Sequence, residues 1–352
     1  MVDVNAVSTT NLVPTDPVVS DVPKPPQAGK STRHGFTKIL EANALLLLTI
    51  AFAVFFSLWP RTSDMFFTME NIGILLSGQA VVGIVSIGVL LPLITQEFDL
   101  SVGSNAALSA VLVTMMVSSG VPVGVAVLGG LVTGLLIGLF NVGIVNVVGI
   151  TGIIATLGSS TILVGILTHV TGGLALTSKI PPAFTTVGNG NLFGIPIIFM
   201  ILIGVAAIAY FFLEHTPFGR QLYASGSNPA AAKLVGIDIK RMKAIAFVAC
   251  GVLAAIGGIL YVTRAGGASP KIATVFLMPA IAAAFLSAAA VKPGRYNVWG
   301  TIVAIYFLAV LNNGLSLAGA PAYVSDYSNG AALILGVAVA VVIRRRRDGA
   351  RA

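Results

Sequence analysis

The chain has 352 residues, of which 56% are hydrophobic and only 9% charged, with a mean hydropathy of +0.97. Soluble globular proteins carry about 25% charged residues because water must wet their surface; this chain lacks that charge, and its solvent is lipid. The net charge of +8 does not point to nucleic acid, since most basic residues sit in short segments beside long apolar runs, the placement that orients a membrane protein.

Residues 1–40 are polar and contain Pro14, Pro17, Pro23, Pro25 and Pro26. Such a segment buries too little apolar surface to offset its chain entropy, which predicts a disordered cytoplasmic tail. A secretory signal is not expected, because the first apolar run begins only near Asn43. Gly29-Lys30-Ser31 has the form of the end of a phosphate-binding loop. Lys24, however, stands where that pattern needs its first glycine, and no strand precedes it.

From 41 to 343, apolar runs of bilayer-spanning length follow one another. They lie near 42–59, 71–94, 100–119, 123–147, 150–171, 194–213, 244–263, 274–291, 299–318 and 328–343. The prediction is an all-α polytopic membrane protein of about ten transmembrane helices, with room for a broken or re-entrant segment between 71 and 172. The tail 344–352 is basic. With both termini inside, only Arg61, Lys179, Arg264 and Lys271 of the 20 Lys and Arg residues fall outside. That asymmetry supports an even number of spans and a cytoplasmic 214–243 loop. Leu139-Phe140-Asn141-Val142-Gly143-Ile144 echoes Val310-Leu311-Asn312-Asn313-Gly314-Leu315 five runs later, which points to an inverted five-plus-five repeat.

Within the runs, Gly130, Gly134 and Gly138 recur at four-residue spacing, and Gly78 and Gly83 loosen the second run. Small residues of this kind let helices pack closely in lipid. Asn141, Asn146, Asn312 and Asn313 each need a partner there. They fit either interhelical bonding or a path for a polyhydroxylated solute, since amides both donate and accept. Asp99, followed by Ser101 and Ser104, is expected to cap the helix that begins after it. Cys250 lies in an apolar run and reads as a small buried hydrophobe, and a single cysteine excludes an intramolecular disulfide. His34, His169 and His215 are scattered, so no metal spacing and no catalytic constellation is present. The runs are nearly free of ionisable residues, so coupling to protons or sodium is not expected. A solute mover built this way takes its energy from a partner chain.

The 214–243 loop shows where such a partner would dock. Asn228 is placed to cap a short helix with Pro229 at its first position, Ala230, Ala231, Ala232 and Lys233 follow, and Gly236 ends it. Thr216-Pro217-Phe218-Gly219-Arg220, then Ala224-x-Gly226-x-Asn228-x-x-Ala231-Ala232, then Gly236-Ile237, closely resembles the coupling loop of permeases of ribose-type monosaccharide ABC importers. Asp99-Leu100-Ser101-Val102-Gly103-Ser104 resembles the signature after that family's second span. Ile154-Ala155-Thr156-Leu157-Gly158 resembles the motif opening its fifth, and Asn313-Gly314 a late motif. The similarity runs from about 43 to 343. Gln96-Glu97-Phe98 stands where the family usually has glycine-glycine-isoleucine, and Leu286 to Arg295 where it usually has a glycine-rich stretch.

The resemblance implies a non-enzymatic inner-membrane subunit with no cofactor of its own, ATP being bound by a partner. Two permease copies, identical or paired, would stand over two cytoplasmic ATPase subunits, with an external sugar-binding protein delivering a pentose, hexose or similar polyol. Gly219, Arg220 and residues Asn228 to Gly236 would couple to the ATPase. Asp99, Ser101, Gly103, Asn141, Asn146, Thr156, Asn312 and Asn313 would border the path. A nucleoside, a furanosyl signal or an amino acid is the alternative solute, and an ATP-independent channel the alternative mechanism.

Overall fold

The computed structural model describes residues 33–177 and 180–349, with side-chain surroundings over 43–177 and 180–338. The chain is built from helices: α1 (Arg33–Leu58), α2 (Ser63–Phe66), α3 (Met69–Ile94), α4 (Val102–Ser118), α5 (Val123–Val142), α6 (Gly152–Thr171), α7 (Pro182–Asn189), α8 (Ile197–His215), α9 (Pro217–Ser227), α10 (Pro229–Leu234), α11 (Ile239–Ala265), α12 (Ile272–Leu286), α13 (Val298–Leu317) and α14 (Tyr323–Gly349). A helix covers each of the apolar runs read from the sequence. Among the described residues, seven helical segments are long and apolar enough to cross a bilayer, and Asn43–Leu58 and Val102–Ser118 are shorter apolar helices. The chain is thus an all-α polytopic membrane protein.

Several boundaries differ from the sequence expectation, for local reasons. Residues 33–40, expected in the tail, begin α1; residues 1–32 lie outside the described segments. α11 starts at Ile239 because Asp238 caps it, its carboxylate accepting from the Arg241 amide at 3.1 Å. Its first turn carries Lys240, Arg241 and Lys243, charges that a hydropathy reading excludes from a span. Between 71 and 172, α5 continues through Gly143–Val148 as a π-helical turn, and Gly149 closes it at φ 85°.

α11 is the central post, packed against α5, α3 and α4. Its contacts are backbone to backbone. A side chain at Gly138 would run into Val248, one at Gly251 into the carbonyl of Gly134, and one at Gly258 into the carbonyl of Ala106. This is the close approach that small residues allow in lipid, where apolar surface alone does not drive helices together. Two-thirds of the most apolar window of α3 is buried (67%), against 28% for α5 and α6 and 22% for α8. The outer helices therefore turn Leu128, Leu136, Phe140, Ile154, Ile162 and Phe211 outward, as suits a hydrocarbon solvent.

The two ends of the bundle differ. At one end, β1 (Leu176–Thr177) pairs antiparallel with β4 (Gly267–Ala268), and β2 (Asn191–Leu192) pairs with β3 (Ile195–Pro196) across a two-residue turn. In that turn Phe193 and Gly194 both have positive φ, 54° and 81°. At the other end gather the turn between α3 and α4, the start of α6, the α9–α10 loop, the start of α11 and the stretch between α12 and α13.

Candidate functional site

The α9–α10 loop is built by two successive caps, each followed by proline at the first helical position. Thr216 leaves the helical region at φ −113°, ψ 158° and accepts from the Gly219 amide at 3.4 Å, starting α9 at Pro217. Gly219, Leu222, Ser225 and Gly226 face inward while Arg220 and Gln221 are exposed. A side chain at Gly219 would overlap the carbonyl of Leu213, and one at Gly226 that of Ile94, so α9 sits directly on the ends of α8 and α3. Asn228 then caps α10, accepting from the Ala231 amide at 3.0 Å. Gly236, at φ 82°, ends α10 in the left-handed position that glycine fills without strain.

On α10 only Ala232 turns inward; Pro229, Ala230, Ala231 and Lys233 are exposed. Beyond them stand Leu234 and Val235, 89% and 77% exposed. Neither was singled out from sequence. The legible signal was an apolar pair at the tip of a polar loop, just before its terminating glycine.

The loop is braced from below. Glu214 pairs with Lys292 at 2.7 Å and with Arg295 at 3.4 Å. The Arg295 guanidinium lies 3.6 Å over the ring of Tyr223, whose hydroxyl donates to the carbonyl of Tyr296 at 2.7 Å. Burial, reinforced by Glu214 and opposed by Arg295, pushes the Tyr223 hydroxyl up to about 12, so it stays a donor at any physiological pH.

Four of the polar residues read as path residues come together in a buried cluster between α4, α5, α6 and α11. The Asp99 carboxylate accepts from the Ser101 amide at 2.9 Å and its hydroxyl at 2.6 Å, and Cys250 of α11 lies beside it. Asn141 donates to the Ser101 hydroxyl at 2.8 Å and accepts from Ser159 at 2.7 Å. Thr156 accepts from the Leu100 amide at 2.9 Å. Ser104 reaches Ser160 at 3.0 Å. Asp99 is therefore not the cap of α4. Ser101 holds the cap position and makes no capping bond with its side chain, because that hydroxyl is engaged by Asp99 and Asn141. Cys250 is buried as expected, yet it faces a carboxylate rather than a purely apolar shell.

The remaining residues lie apart. Gly103 packs α4 against α12, with no room for a side chain beside the carbonyl of Ala273. Asn146 sits on the π-helical turn and donates to the carbonyl of Lys240 at 2.8 Å. Asn313 exchanges two hydrogen bonds with Asn71, at 2.9 and 3.0 Å, joining α13 to α3. Asn312 reaches Asn329 of α14 at 3.4 Å, and its own carbonyl oxygen is buried with no partner among the described residues. Two clefts among the described residues, of about 270 and 260 Å³, are apolar. One lies on α1 at Leu48, Ala51, Phe52 and Phe55; the other lies between α5 and α6, with Ser159 on its wall.

Two residues seen in the sequence only as departures from the family pattern lie between these regions. Gln96 has φ 60° and donates to the carbonyl of Gly226 at 2.5 Å. Glu97 pairs with Lys243 and accepts from the Gly152 amide at 3.0 Å.

A family model described as branched-chain amino acid transport system / permease component matches residues 71–342. The ribose import permease protein of Escherichia coli (strain K12) is 33% identical over 314 residues, 88% of this chain and 97% of that protein. That of Bacillus subtilis (strain 168) is 31% identical, covering 79% and 85%. An autoinducer 2 import system permease protein of Photorhabdus laumondii is 30% identical, covering 87% and 91%. No solved structure matches.

Proposed function

We propose, from the premise that the chain belongs to the branched-chain amino acid transport system / permease component family, that it is the membrane subunit of an ABC importer for a monosaccharide. It is a transport subunit and not an enzyme. Ten helices, α1, α3, α4, α5, α6, α8, α11, α12, α13 and α14, cross the cytoplasmic membrane in an inverted five-plus-five arrangement, with both termini and the 214–243 loop inside. Two copies form the pathway, two ATPase subunits dock below, and an external binding protein delivers the sugar. The membrane domain runs from α1 through α14.

The observation that carries this reading is α10. It is capped by Asn228, ended at Gly236 and packed against α9 and α11, yet turns Ala230, Ala231 and its Leu234–Val235 tip outward. A connector has no need of such a surface; a helix that transmits the closure of a motor does. Arg220 and the exposed residues from Asn228 through Gly236 form that contact, Gly219 and Ala232 seat the loop on the bundle, and ATP is bound by the partner.

The path residues Asp99, Ser101, Asn141 and Thr156 are closed on one another in this conformation. Their hydroxyls and amides exchange hydrogen bonds between helices that sugar hydroxyls can replace when α4, α5 and α6 separate. Ribose or a related pentose is the favoured solute, given the relatives alike over most of their length. The similarity to an autoinducer 2 import permease favours a furanosyl signal as the second reading.

The test is uptake of a panel of radiolabelled pentoses and hexoses by cells lacking this chain, with and without its return, together with co-purification of the neighbouring ATPase. Restored uptake of one sugar and recovery of the ATPase are expected. Unchanged uptake of every sugar would overturn the assigned solute class; failure to recover any ATPase would overturn the importer mechanism.

A further inference from the structure

We infer that the Gln96–Glu97 turn is a positioning element that carries motion of the α9–α10 loop into the buried Asp99 cluster. The inference rests on the importer reading above and adds residues that the reading does not use.

The turn sits where three other helices end. Gln96 donates its side-chain amide to the carbonyl of Gly226, at the last turn of α9. Glu97, the next residue, pairs with Lys243 in the first turns of α11 and accepts from the Gly152 amide at the first position of α6. A carboxylate at that position is favoured both by the unpaired amide and by the positive end of the helix dipole. Two residues further on, Asp99 accepts from the Ser101 hydroxyl at the cap of α4, and that hydroxyl in turn accepts from Asn141 of α5. From the carbonyl of α9 to the carboxylate of the cluster the path is one side chain and three residues of backbone.

The link is stiff. α9 approaches so closely that a Cβ at Gly226 would overlap the carbonyl of Ile94, so the loop cannot shift without moving the end of α3. Gln96 itself is held at φ 60°, a conformation that a residue with a side chain adopts only where its surroundings over-determine it. Glu97, with 14% of its side chain exposed, is shielded enough for its bonds to hold their geometry rather than exchange with water. Motion of α9, α6 or α11 therefore reaches the cluster through fixed contacts instead of being absorbed by a flexible turn.

A brace that merely supports the fold predicts a different result from one that transmits force. The complete complex of permease, ATPase and binding protein, reconstituted in lipid vesicles, is assayed for ATP hydrolysed and radiolabelled pentose or hexose imported in the same sample. The variants are Gln96→Gly, which removes the amide link and relieves the backbone, and Glu97→Gln, which keeps the shape but removes the charge facing Lys243. Melting of each complex is measured alongside.

For both variants the sugar imported per ATP is expected to fall by roughly five-fold or more, the lower end of coupling between linked sites. Melting is expected to stay near that of the native complex, and KM for the sugar unchanged. An unaltered ratio overturns the inference, as does a ratio that falls only in step with lost thermal stability. Absence of ATP-driven import by the native complex across the whole sugar panel overturns the importer reading instead.

Discussion

Leu234→Ala separates docking from folding cleanly. Leu234 is 89% exposed at the tip of α10, so its side chain adds almost nothing to the stability of the chain itself. A surface truncation of this kind changes stability by no more than about 0.5 kcal/mol. If a groove on the ATPase receives the tip, however, nearly the whole side chain leaves water on assembly. Leucine to alanine removes three carbon groups, at about 0.8 kcal/mol for each buried methylene. The contact therefore loses about 2 kcal/mol, or roughly thirty-fold in affinity. The assay is titration of purified ATPase subunit onto the permease in lipid nanodiscs. Leu192→Ala serves as control, since Leu192 is 47% exposed on the β2–β3 hairpin at the opposite end. The expected result is a weakened dissociation constant for Leu234→Ala alone. Equal affinity for Leu234→Ala and the native chain would refute the docking argument, and equal weakening by both variants would refute its placement.

Val291 carries a β-branched side chain at φ 60° while 40% exposed. Val291→Gly should stabilise the chain by about 1 kcal/mol, strain relief outweighing the extra chain entropy of glycine, seen as a higher melting temperature in detergent. Asn141→Ala removes two interhelical bonds, each worth about 0.6 kcal/mol in a membrane bundle; a stability loss of about 1 kcal/mol in denaturant titration, with reduced uptake, is expected. Tyr223 is held neutral, its hydroxyl pushed from 10.0 to about 12. Since the folded value is the higher, its contribution is complete below pH 10 and is lost as pH rises through about 12. Melting temperature should fall across that window, and Tyr223→Phe should flatten the fall.

The helices were legible because bilayer length and apolarity leave little freedom in where a span lies. The boundaries that moved did so where charge enters a helix without leaving it. Lys240, Arg241 and Lys243 belong to α11, since Asp238 caps the helix ahead of them. The α9–α10 loop was also readable, because its signals are local: Asn228 before Pro229, alanines, then Gly236 at φ 82°. The role of Asp99 was not. Its spacing to Ser101 and Ser104 suits a cap, but Cys250 and Asn141 arrive from α11 and α5, and the bond Asn141 makes to the Ser101 hydroxyl turns the site into a buried junction.

Gln96 shows where sequence reading stops and why. The family resemblance places a glycine there, and the left-handed φ of 60° gives the reason, since glycine adopts it freely. A chain that puts glutamine at such a position accepts strain of order 1 kcal/mol or more. That cost can be offset only by contacts the side chain gains, and the contact it gains is the carbonyl of Gly226. The neighbouring exchange of glycine for Glu97 follows the same logic, adding a carboxylate where α6 offers an amide and α11 an ammonium. Both partners lie far away in sequence, so the substitutions register in the sequence only as departures. In the fold they are paired bonds, Gln96 tying the turn to α9 and Glu97 tying it to α6 and α11.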